Sequence, residues 1–86
     1  MTTMSNDDND NSYNGWSSYQ TWNVTLWINN DEPLYRMAQY CVRMAPANRA
    51  KAAQFMLHKL ERRGLTRTPD GAPYSVTAIR AAMVGM

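Results

Sequence analysis

The chain of 86 residues is long enough for one small domain, and 44% hydrophobic residues suffice for a packed core. A mean hydropathy of −0.58, with no apolar run near the ~20 residues of a spanning helix, argues against a membrane-embedded protein. The net charge of +2 hides a segregation: five acids and no Lys or Arg up to Pro33, then nine bases and two acids from Leu34 onward.

Residues 1–12, MTTMSNDDNDNS, lack apolar periodicity and are expected to form a disordered acidic tail. This acidic start is unlike the basic start and apolar middle of a secretory signal, so a cytoplasmic setting is expected. The single cysteine, Cys41, agrees, because one thiol builds no disulfide framework. A single helical domain is expected over 13–86, opening with a turn at Asn14-Gly15 and an apolar anchor at Trp16.

Ser17-Ser18 offers an N-cap for a first helix over about 19–28. Tyr19, Trp22 and Leu26 form one apolar stripe at helical spacing and Trp27 widens it, which predicts Trp22, Leu26 and Trp27 as core. Val24 and Ile28 fall on the other side. Asn23 lies between Tyr19 and Trp27 and must find hydrogen-bond partners if buried.

Asn29-Asn30-Asp31 stops this helix and caps a second, over about 33–44, in which Pro33 is tolerated in the first turn. Leu34, Met37, Ala38, Cys41 and Val42 form its inner stripe, and Pro46 ends it. Asn48 caps a third helix over about 49–63, with Ala53, Met56, Leu57 and Leu60 inside, broadened by Ala52 and Phe55, and Gly64 as C-cap. Thr66 to Pro73 reads as a connector with a Pro69-Asp70-Gly71 turn. Ser75 caps a last helix to about Val84, and Tyr74 and Ile79 stand at hydrophobic-staple spacing. Val76, Ile79 and Met83 form its inner stripe, with Ile79 expected in the core, and together with Met86 they end the chain as an apolar seam that a second copy could cover. The fold class predicted is therefore all-α, a small bundle of three to four short helices.

Little catalytic chemistry is legible. One Cys and one His build no zinc site, so no metal or other cofactor is expected. Cys41 on an inner stripe reads as a small hydrophobe, and His58 as a surface or boundary residue. The four glycines are scattered and form no phosphate loop. Of nine aromatic residues, seven fall between Tyr13 and Tyr40, in a stretch without bases until Arg36. Trp16 and Tyr35 are open as surface contacts. The chain is expected not to be an enzyme.

The segment NGWSSYQTWNVTLWINN, residues 14–30, resembles a small domain family of phage and mobile-element proteins whose motif is close to N-G-W-x-N-Y-E-T-W-N-V-x-L-W-x-x-N. Gly15, Trp16, Tyr19, Thr21, Trp22, Asn23, Val24, Leu26 and Trp27 match, while Ser18 and Gln20 stand where Asn and Glu are common. The resemblance implies a setting rather than an activity: small accessory proteins from such elements, anti-CRISPR proteins among them, act against host defences without catalysis.

The resulting expectation is a non-enzymatic protein that binds and blocks a host protein or ribonucleoprotein complex in the host cytoplasm. Its contact surface is expected at Lys59, Arg62, Arg63 and Arg67, with Arg80 beyond. The alternative is a small DNA-binding regulator using the basic C-terminal half, with SVTAIRAAM, residues 75–83, as recognition helix.

Overall fold

A computed structural model describes residues 18–86. The expected disordered tail over 1–12, the Asn14-Gly15 turn and Trp16 lie outside the described residues. The described chain is all-α, with helices α1 (Tyr19–Asn30), α2 (Glu32–Met44), α3 (Arg49–Arg62) and α4 (Val76–Ala82).

Each helix begins where a short polar side chain can take up a free first-turn amide. Ser18, Asp31, Asn48 and Ser75 are all in extended conformation and accept from the amides of Thr21, Leu34, Lys51 and Ala78 respectively. Pro33 lies in the first turn of α2, where its missing N–H costs nothing. The end of α3 is closed by Gly64 at φ 73°: its amide donates to the Glu61 carbonyl and the Leu65 amide to the Leu60 carbonyl. That pair of bonds is a Schellman closure, which needs the left-handed conformation that glycine adopts without a Cβ penalty.

The helices close into a ring. α1 packs on α2 and α4, and α3 packs on α2 and α4, while the diagonal pairs stand apart. Val24 and Ile28 of α1, Ala38 and Cys41 of α2, Met56 and Leu60 of α3, and Ile79 and Met83 at α4 are buried at its centre. The faces between helices are alanine-rich: Ala52 and Ala53 on α3 and Ala78 and Ala82 on α4 are buried too. Small side chains let helix axes approach closely.

This packing rotates α1 relative to the sequence expectation. Val24 and Ile28 are fully buried, whereas Leu26 is 40% exposed, and Trp22 and Trp27 are half-buried. The bulky aromatic stripe thus lies at the rim, because a close approach to an alanine face admits Val and Ile but not an indole. Leu34 and Leu57, also expected in the core, are half-buried against its edge, and Phe55 is exposed at the surface rather than broadening the inner stripe. The proposed C-terminal seam is internal: Ile79 and Met83 are fully buried by this chain's own helices, and Val76 and Met86 pack against them. That seam no longer supports self-association.

The register of α1 can be tested by paired truncations. Ile28→Ala should destabilise the domain by about 3 kcal/mol, and Leu26→Ala by less than ~1 kcal/mol, as measured by urea denaturation. Equal costs, or the reverse order, would contradict the observed face.

Candidate functional site

The connector between α3 and α4 is a tight hairpin. The Gly71 amide donates to the Thr68 carbonyl at 2.8 Å, the Thr68 amide to the Ala72 carbonyl at 2.8 Å, and the Tyr74 amide to the Thr66 carbonyl at 3.0 Å. The order Thr68-Pro69-Asp70-Gly71 suits it: proline presets φ at the second turn position, and Gly71 takes the positive φ of 93°. Arg67 clamps the turn by donating to the Gly71 carbonyl at 2.9 Å.

The tip of this hairpin is latched to α1 through one carboxylate oxygen. Asp70 Oδ2 accepts from Asn23 Nδ2 at 2.8 Å and from Trp27 Nε1 at 2.9 Å. Asn23 and Trp27 stand one turn apart on α1, so both N–H groups converge on the same atom. Beneath them Thr68 Oγ1 donates to Asn23 Oδ1 at 2.6 Å and accepts from the Ala72 amide at 3.1 Å. Asn23 is 1% exposed and Thr68 is buried, so these bonds satisfy groups that would otherwise be costly to bury. The two N–H donors favour the ionised carboxylate and lower the Asp70 pKa, Asn23 contributing most and burial opposing weakly.

The expected contact residues fall in three places. Lys59 and Arg62 share the outer stripe of α3, with Arg63 at its C-cap. Arg67 lies in the hairpin, committed to the Gly71 carbonyl, and Arg80 is exposed on α4. Around Lys59 the structure shows more than a row of charges. Its ammonium lies 5.2 Å from the centroid of the exposed Tyr40 ring on α2, and the Lys51 ammonium lies 5.8 Å from that of Phe55. Lys51, Phe55, Lys59 and Arg62 are all exposed and recur at helical spacing, so one face of α3 carries three cations and a ring. The one ion pair among the described residues is Arg36–Glu32 on α2, at 2.6 Å.

Cys41 is fully buried, and burial pushes its thiol pKa up, with Lys59 opposing weakly. His58 is exposed on α3. Sequence reasoning missed Asp70 as a latch, Lys51 as a surface cation, and Tyr40 and Phe55 as exposed rings. The latch had a signal, since a buried Asn23 needs partners, the Trp27 N–H follows one turn later, and Asp70 stands at a turn tip. The rings had none, because Phe55 sits at a spacing equally compatible with burial.

Among known proteins, a family of unknown function (DUF7249) matches residues 9–86. No curated protein and no solved structure matches the chain.

Two variants separate the parts of the latch. Asn23→Leu should cost roughly 2–3 kcal/mol in denaturant, because it strands the buried Thr68 hydroxyl; a neutral result would remove the buried network. Asp70→Asn should lower the melting temperature at neutral pH. The Asp70 pKa is lower folded than unfolded, so its stabilisation is complete above the unfolded value of about 4 and is lost as pH falls through the folded value. The parent's advantage over Asp70→Asn should therefore be constant from pH 7 to about 5, begin to shrink near about 4 and disappear only once the pH lies below the lowered folded value. An advantage that persisted under strong acid would show that the carboxylate charge is not what holds the turn.

Proposed function

We propose that this chain, which belongs to the family of unknown function that matches it, is a non-catalytic binding protein that occupies and blocks an anionic surface of a larger complex. The observation carrying this reading is uncompensated positive charge on a rigid helix face. Residues 18–86 hold all nine bases of the chain against four acids, and Arg36 alone among those bases has an ion-pair partner among the described residues. Lys59, Arg62 and Arg63 project from the end of α3, where they also complement the negative pole of the helix. Fixed cations of this kind steer and orient an acidic partner.

The setting comes from the resemblance of residues 14–30 to phage and mobile-element proteins. It points to a stoichiometric anti-defence inhibitor of the anti-CRISPR type, acting on a host protein or ribonucleoprotein complex in the host cytoplasm. The reading of residues 75–83 as a DNA recognition helix has less behind it. α4 has seven residues, buries Ala78, Ile79 and Ala82, and offers one base, Arg80, where phosphate contacts need several.

The test is the combined variant Lys59→Ser, Arg62→Ser, Arg63→Ser. Arg67 is left intact because its loss would loosen the hairpin. All three positions are exposed, so stability should change by less than ~0.5 kcal/mol per site. The variant should lose capture of the complex that the tagged parent retains from host lysate, and the parent's capture should fall as ionic strength rises. If the variant captures the same complex as well as the parent, the working surface lies elsewhere.

A further inference from the structure

The face made by α2 and α3 carries two features that an acidic partner alone would not require. Tyr40 is 45% exposed and Phe55 is 37% exposed, although a chain with so small a core would gain by burying both. Each ring has an ammonium within cation–π range, Lys59 at 5.2 Å and Lys51 at 5.8 Å. Lys51, Phe55, Lys59 and Arg62 run along α3 over about 16 Å, and Tyr40 joins them from the neighbouring helix through Lys59.

We propose that this face binds single-stranded nucleic acid, with Tyr40 and Phe55 stacking on bases and Lys51, Lys59 and Arg62 contacting phosphates. The inference rests on the reading of the α3 face as the working surface and names the anion that it takes. A strand supplies both complements at once: a π-face for each ring and a phosphate charge for each cation. The lysines shield the rings in the free protein. When a base takes a ring face, the ammonium swings to the adjacent phosphate, exchanging a cation–π contact for a charge-assisted hydrogen bond. A duplex does not fit as well, because its bases are stacked on one another and offer no free face. A carboxylate meets the cations but carries no π-face for the rings, whereas each nucleotide of a strand brings both.

The experiment measures fluorescence anisotropy with two probes at matched charge: a labelled oligothymidylate of about 12 nucleotides and a labelled poly-glutamate peptide. The oligonucleotide should bind, with a log–log salt slope of about −2 for three phosphate contacts. Tyr40→Leu and Phe55→Leu should each weaken it roughly tenfold with the slope unchanged. Phe55→Tyr, which keeps the ring, should retain affinity, and circular dichroism on every variant confirms that the helices persist. Oligonucleotide affinity that is indifferent to both rings would overturn the proposal. Binding of poly-glutamate without the oligonucleotide would also overturn it, while leaving the broader reading of an anionic partner intact. Binding of neither probe would count against both.

Discussion

The junction of α1 with the α3–α4 hairpin is made by a single carboxylate oxygen that accepts two N–H donors from successive turns of one helix. The rest of the arrangement depends on it. The hairpin sets where α4 begins, and α4 is the helix that fills the space between α1 and α3. Because Asn23 is buried and also receives the Thr68 hydroxyl, the junction is not a surface ion pair that solvent could replace. It is a chain of neutral and charged hydrogen bonds with Asn23 at its centre, so loss of Asn23 takes a partner from both Asp70 and Thr68. Asp70 itself is exposed, so the charge is kept where hydration costs least, and the buried work falls on neutral groups.

Alanine is the second determinant. With Ala52, Ala53, Ala78 and Ala82 between the helices, the core is thin and its side chains are modest in size. The large aromatic residues of α1 therefore sit at the rim, where Trp27 buries part of its ring and still reaches Asp70 with its indole N–H. Tyr19 and Trp22 lie side by side there, ring centroids 5.8 Å apart and tilted by 42°. An indole at a rim is well used, because its apolar body and polar edge want different surroundings.

Charge is arranged on a different part of the molecule. The latch engages α1, and the unpaired cations concentrate on the outer face of α3 beside Tyr40 of α2. Building a surface on a helix whose opposite side is locked by Met56 and Leu60 fixes the spacing of its side chains. The same helix thus serves both packing and the proposed contact, with alternate faces assigned by its period.

Local chemistry was legible in the sequence. The four N-caps, the proline in a first turn, the glycine closure and the Pro-Asp-Gly turn each depend on residues within a few positions of one another, and only a few residue types suit each need. The inner stripes of α2 and α3 were largely readable too, because their polar residues mark the wet side; Phe55, at the boundary, was not. α1 was not readable in this way. It is apolar on both sides, so periodicity offered two faces and side-chain size suggested the wrong one. Only the helices packed against it, among them the alanine-bearing face of α4, decided in favour of Val24 and Ile28. The partnership of Asn23 with Asp70 spans 47 residues, and that of Tyr40 with Lys59 joins two helices. A requirement for a partner is written locally in the buried amide; the identity of the partner is fixed by how the helices close into a ring.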